Sequence, residues 1–356
     1  MTMDAHGGRA ATAARFLHHH FLWLLIGAYA LAGLAPTFGQ WISGLAGTSH
    51  VLGLGVRATA PAVMLGGLLF AAGLAVKGIH LRGVFRRPAA LAVGLAANVL
   101  VPVLVLIAAA PLLNLWPNQE EVRDLVIGLA VVAAMPVAGS SAGWARAADG
   151  DCALSLGLVL LSTLLSPLTT PLALSAAVWA APDGASGALA GLADAGAASF
   201  LTAWVILPMI LGLATRWLIG GRRADTIGAP IKVKTSMILL VLCYANASAC
   251  LPRALAHPDW DFLALVAIAA CLMCGIAFAA GFGAARSVRA DPARRAALVF
   301  GVGMANNGAG LALAAGALSG FPMALLPVVA VNLVQHLAAG WADARLRRGN
   351  GMNVVG

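Results

Sequence analysis

Two pairs of small polar residues interrupt an otherwise apolar chain. Ser140-Ser141 lie in "PVAGSSAGWARAADGD" (136–151), and Asn306-Asn307 lie 166 residues later in "GVGMANNGAGLALAAG" (301–316). Glycine weakens a helix, and Ser and Asn side chains compete for the backbone hydrogen bonds that hold one. Each stretch is therefore expected to break its helix. A broken helix offers main-chain carbonyls to a cation and a new N-terminus to an anion. No intramembrane Asp pair, HExxH motif or Ser–His spacing accompanies either pair, so the chemistry expected is the holding of ions and solutes and not catalysis.

The surroundings of the two pairs fix the class of protein. Hydrophobic residues make up 61% of the 356 and charged residues only 10%, where soluble domains carry about 25% charge. Mean hydropathy is +0.91. Such a chain has too little polar surface for water and is expected to be an integral membrane protein. A span needs about 20 apolar residues. Candidates fall near 21–38, 60–76, 89–113, 124–147, 152–181, 198–219, 227–251, 261–284, 296–319 and 322–342, which makes ten helices. The runs are continuous and not alternating, which argues against strands. Residues 9–37 resemble a signal peptide, but the apolar run of about 18 residues is long for one, and a retained first span is expected.

The basic residues orient these spans. With the N-terminus inside, 19 of the 22 Lys and Arg fall on the inside; only Arg57, Arg123 and Arg253 fall outside. This alternation supports ten spans and two cytoplasmic termini. The net charge of +9 is thus an orientation signal, and no nucleic-acid partner is expected. The chain divides into a cytoplasmic tail at 1–20, a first five-helix repeat at 21–181, a second at 198–342 and a cytoplasmic tail at 343–356. Because five is odd, the two repeats have opposite orientations. Each has a polar-interrupted fourth span followed by a Pro-containing fifth, with Pro167 and Pro327. Interrupted spans at matching positions of inverted halves point to a transporter's binding site. The "CLMC" at 271–274 and the "HHH" at 18–20 are read as helix packing and interfacial polarity, with no metal site and no disulfide expected. The Ala, Gly and Arg richness suggests a bacterial inner membrane.

The stretches "MPVAGSSAGWARAADGDCALSLGLVLLSTLLSPLTTP" (135–171), "LCYANASACLP" (242–252), "FGVGMANNGAGLALA" (300–314) and "VNLVQHLAAG" (331–340) resemble the bile acid:sodium symporter family. The resemblance implies an all-α fold of ten transmembrane helices in two inverted five-helix repeats, with helices four and nine unwound and crossing. It implies a core domain and a panel of helices one, two, six and seven. It further implies secondary transport of an organic anion or amphipathic solute, with sodium as the coupling ion and no other cofactor. By position, Ser141 and Ser155 match sodium-ligating serines, Val302 and Met304 match positions that supply backbone carbonyls, and Asn306 matches an amide beside the substrate. The family's glutamate is Gly301 here, its glutamine Ala305, its asparagine Ala142 and its threonine Val159, while Asn98 in helix three sits one residue off another amide ligand.

The thirteen acids all lie in loops, tails or near helix ends. The expected sodium site is therefore neutral: Ser140, Ser141, Ser155 and Asn307, with the carbonyls of Val302 and Met304. Carbonyl dipoles alone can hold a monovalent cation. Asn306, Gln335, His336 and Asn246 are the expected substrate-facing groups. His336 is also the mid-to-late-span group that titrates near neutrality, which leaves a proton-coupled or uncoupled carrier, or a channel or receptor on the same scaffold, as alternatives.

Overall fold

The computed structural model describes residues 20–51, 54–77, 88–182, 184–318 and 320–349. Both tails, apart from their span-proximal ends, and the whole 78–87 loop, with Arg82, Arg86 and Arg87, lie outside the described residues, as do His18 and His19.

The chain opens with α1 (Phe21–Leu34) and α2 (Thr37–Gly44), bent 92° to each other. The sequence pattern implied one continuous span here. Pro36 has no N–H to donate and breaks it. Tyr244, far along the chain, closes the break: its hydroxyl donates to the Ala35 carbonyl at 2.6 Å and accepts from the Gly39 N–H at 3.1 Å. Next comes an antiparallel pair, β1 (Ala46–Val51) and β2 (Leu54–Thr59), with Ala46 opposite Thr59. The expectation of no strands holds for the apolar runs, because this hairpin lies between two of them. Thr59 then caps α3 (Ala60–Ala75) by accepting from the Ala62 N–H.

The next helices are α4 (Pro88–Leu113), α5 (Gln119–Ala133), α6 (Ser141–Ala147) and α7 (Cys152–Ala177). After the short α8 (Ser186–Gly191) comes α9 (Ala197–Ile219), which contains a π-helical turn at Thr202–Ile206. Then follow α10 (Gly221–Thr226), α11 (Gly228–Ala247), α12 (Leu251–Ala256), α13 (Trp260–Ser287), α14 (Pro292–Gly303), α15 (Asn307–Ala317) and α16 (Leu325–Gly349). Among the described residues five helical segments are long and apolar enough to cross a bilayer unaided: 88–113, 152–180, 197–219, 260–287 and 322–348. The bent α1–α2 pair makes a sixth. The rest of the apolar sequence lies in shorter helices, including the two broken pairs α5–α6 and α14–α15.

Packing divides the helices into two groups. In the first, α3 lies against α9 and α11, and α11 against α1 and α2. Gly73 and Gly212 let α3 and α9 touch backbone to backbone: a Cβ on Gly73 would meet the Met209 carbonyl at 2.1 Å, and one on Gly212 the Phe70 carbonyl at 2.0 Å. In the second group α13 lies against α14, α16 and α4, and α4 against α7. The contacts joining the two groups run chiefly through α15 and α16 on one side, which meet α3, α11 and α1, and through α7 on the other, which meets the start of α9.

Candidate functional site: two helix breaks and a cavity

The two polar pairs sit where two helices stop. Between α5 and α6 the chain is non-helical from Ala134 to Ser140, and between α14 and α15 from Met304 to Asn306. The two breaks pair with each other. Val137 and Ala305 form an antiparallel bridge; the Ala138 N–H donates to the Met304 carbonyl at 2.9 Å, and the Asn306 N–H to the Pro136 carbonyl at 2.8 Å. Backbone groups freed by each break are thus satisfied by the other, as an apolar surrounding requires.

Side chains of α7 and α16 satisfy more of them. The Ser162 hydroxyl accepts from the Val137 N–H at 3.1 Å, and Thr170 donates to the Ala134 carbonyl at 2.6 Å. Gln335 Oε1 accepts from the Ala305 N–H at 3.2 Å. Asn306 caps α15, its Oδ1 accepting from Ala309 N–H at 3.3 Å. Asp151 caps α7 through the N–H groups of Ala153 and Leu154, and its own N–H donates to Ala293 at the foot of α14. An aromatic contact ties the halves again: Trp144 of α6 stacks on Phe300 of α14 at 6.0 Å, and Phe278 meets Phe300 edge-on.

Against this background three of the expected sodium-ligating residues stand apart. Ser141, Ser155 and Asn307 are buried, at 0%, 0% and 1% exposure. Ser141 Oγ, Ser155 Oγ and both amide atoms of Asn307 have no hydrogen-bond partner. Ser141 and Asn307 begin α6 and α15, each directly after a break, and Ser155 lies in the first turn of α7. The carbonyls of Val302 and Met304 come from the end of α14, where the last turn has no intrahelical donors. Val302 and Met304 are themselves buried. Ser140 is different: it is exposed and lines the cavity described next.

A cavity of about 860 Å³ reaches the breaks from one end of the bundle. Its inner wall holds Ser140, Asn306, Asn307, Gln335 and His336, and its mouth holds Lys77, Arg146, Arg216 and Asp225. His336 is packed edge-to-face on Phe21 at 5.3 Å. Asn246 does not line the cavity; it is fully buried in α11, with neither amide atom partnered. At the mouth Arg216 binds Asp225 at 2.9 Å and the Leu74 carbonyl at 3.0 Å, and Lys77 lies 3.5 Å from Asp225. The Arg216 hydrogen bond, helped by Lys77, holds the Asp225 carboxyl below the usual carboxylate range. Asn332 also lines the cavity. In the sequence Lys77 and Arg216 figure only among the basic residues that orient the spans, and nothing in the sequence pattern marks Asn332 or Asp225 as cavity residues.

Gly301, where the family resemblance puts a glutamate, is closely packed. A Cβ there would stand 2.6 Å from Leu158 Cδ1, and one on Gly94 would stand 2.7 Å from Leu158 Cδ2. Leu158, wholly buried, fills the notch between the two glycines. The space that a side chain at 301 would need is occupied by hydrocarbon. At the other end of the fold one acidic trio, Glu121, Asp259 and Asp261, gathers its oxygens within 4.8 Å. Glu121 is already engaged there by Trp116 and Asn118.

Long apolar helices, two mutually paired helix breaks and a polar-floored cavity together describe a multi-pass membrane protein of the carrier kind. The model of the sodium bile acid symporter family matches residues 62–251, more than half of the chain, and the chain belongs to that family of membrane transporters. The match covers the first break and ends before the second. A comparison with curated proteins finds no match.

Proposed function

We propose that the chain is a secondary active carrier that moves an organic anion or amphipathic solute by alternating access, coupled to sodium, on ten transmembrane helices in two inverted repeats. The observation that carries the sodium reading is the set of buried, unpartnered oxygens Ser141 Oγ, Ser155 Oγ and Asn307 Oδ1. An unmet polar atom in an apolar surrounding costs about 1–3 kcal/mol. A bound cation would supply the partner that these three oxygens, each in the first turn of its helix, lack. Neutral oxygens suit a monovalent ion, whose desolvation cost is far below that of a divalent one. The Val302 and Met304 carbonyls complete the set.

The cavity takes the solute. Ser140, Asn306, Gln335 and His336 offer hydrogen bonds at its floor, and α3 and α11 supply an apolar wall. Lys77, Arg146 and Arg216 at the mouth belong to the cytoplasmic side of the bilayer by the positive-inside rule, so the conformation is inward-open and both termini are cytoplasmic. The richness in Ala, Gly and Arg favours a bacterial inner membrane. One specific observation favours a second reading, a proton-coupled or uncoupled carrier: Leu158 fills the place of an acid, and His336 borders the solute.

The test is uptake of labelled organic anions into proteoliposomes with and without an inward sodium gradient. Sodium-driven uptake is expected in the native chain. Ser155→Ala and Asn307→Ala are each expected to weaken the sodium dependence about tenfold, since one contact to a charged partner contributes about 1.5–3 kcal/mol. Uptake that ignores sodium but follows a pH gradient, and is lost in His336→Gln, would establish the second reading.

A further inference from the structure

A hydrogen-bond chain links the first helix group to the break itself. Asn332 of α16 donates to the Tyr29 hydroxyl of α1 at 2.7 Å, and the same amide lies 3.8 Å from Cys243 Sγ of α11. Gln335 Nε2 donates to Asn332 Oδ1 at 3.2 Å, and Gln335 Oε1 accepts from Ala305 N–H at 3.2 Å. All four side chains are buried. Cys243, Asn332 and Gln335 line the inner wall of the cavity, and Ala305 lies between the Met304 carbonyl and the Asn306 cap.

Tyr29 and Cys243 ride on one helix group, while Asn332, Gln335 and Ala305 ride on the other. We propose that the Tyr29–Asn332 hydrogen bond is a latch that holds the two groups in the inward-open arrangement, and that Gln335 ties this latch to the backbone of the second break. Tyr29 and Asn332 are positioning residues; neither is assigned a contact with the transported solute or ion. The inference rests on the alternating-access reading above. Sliding one group past the other separates Tyr29 from Asn332, and a hydroxyl and an amide parted in an apolar interior must each find a new partner. The chain through Gln335 makes the new arrangement of Asn332 felt at Ala305 N–H, within the bridge that holds the two breaks together. Occupancy of the break and the separation of the two groups are thereby coupled.

The far end of the fold supplies the readout. A second cavity of about 220 Å³ lies between Ser43, Thr59 and Pro61 of the first group and Ala315, Leu318 and Leu325 of the second. This contact must part when the carrier opens outward, so a thiol at 315 reports the outward-open fraction. Ala315→Cys in proteoliposomes is to be labelled from outside with a membrane-impermeant maleimide, with labelling of the five native cysteines subtracted. Ala72→Cys, in the inner cavity wall, is labelled from the inside in parallel. Tyr29→Phe removes the acceptor and leaves the ring. It is expected to speed outside labelling at 315 about fivefold, the effect of one neutral hydrogen bond on a two-state ratio. Asn332→Leu is expected to do the same, and the double variant to do no more than either alone. Unchanged labelling in Tyr29→Phe, or two single effects that simply add, would overturn the latch. Sodium is the control on the underlying reading: in the native background it must move labelling at 72 and 315 in opposite directions. If it moves neither, and no solute does, alternating access fails and the latch fails with it. If it does so while Tyr29→Phe changes nothing, only the latch fails.

Discussion

At the scale of single residues, the contact of Leu158 with Gly301 bears on the proposed ion site. The bile acid:sodium symporter family has a glutamate at the position that Gly301 holds here, and the site expected from the sequence is neutral. Leu158 Cδ1 stands where a side chain at 301 would go, so a carboxylate there requires Leu158 to shift. Gly301→Glu alone is expected to destabilise the purified protein by about 1–3 kcal/mol through overpacking, with a further cost for burying the carboxylate. Adding Leu158→Ala opens the notch. The double variant is then expected to gain more thermal stability from sodium than the native chain does, read as the shift in Tm between sodium and choline buffers. An equal sodium response in both would mean that the notch does not communicate with the ion. The polar pairs themselves were legible in the sequence, because small polar residues in the middle of an apolar run have few structural uses. The Leu158 filling was not, since it depends on α4, α7 and α14 meeting at one point.

At the scale of elements, the helices whose composition is uniform were read to within a few residues: 88–113, 260–287 and the span beginning at 322 match their apolar runs. Departures occur where one residue redirects the backbone. Pro36 turns the first span by 92°, and the hairpin at 46–59 depends on strand pairing that hydropathy does not register. The bend is held from a distance by Tyr244. Tyr244→Phe leaves the Ala35 carbonyl and Gly39 N–H without their shared partner and is expected to cost about 1–3 kcal/mol, measured as a drop in Tm in detergent. The first break has comparable supports. Ser162→Ala removes the acceptor for Val137 N–H and is expected to weaken solute binding together with stability, whereas Thr169→Val, whose hydroxyl bonds only within its own helix, is expected to change neither. Equal effects of the two substitutions in a binding titration would detach Ser162 from the site.

At the scale of the whole molecule, charge and membrane position set the frame. Asp225 is clamped by Arg216 and Lys77 at the cavity mouth. A carboxyl lowered in the folded state contributes stability above its unfolded pKa of about 3.9 and loses it as pH falls through the lowered folded value. The Tm difference between native and Asp225→Asn protein is therefore expected to stay constant from neutral pH down to the ordinary carboxylate range and to shrink below it. Because the cluster is exposed to solvent, the difference is also expected to shrink with added salt. The bend at Pro36 has one more consequence, and it is optical. Turned through a right angle, α2 presents Phe38 and Trp41 outward, stacked on each other at 5.5 Å and 59% and 58% exposed. Paired aromatic rings on a helix so turned suit the layer where lipid headgroups meet hydrocarbon. Trp41 is thus a built-in depth gauge. With the other eight tryptophans replaced by phenylalanine, its fluorescence should be quenched most strongly by lipids brominated near the headgroup and least by those brominated near the chain terminus.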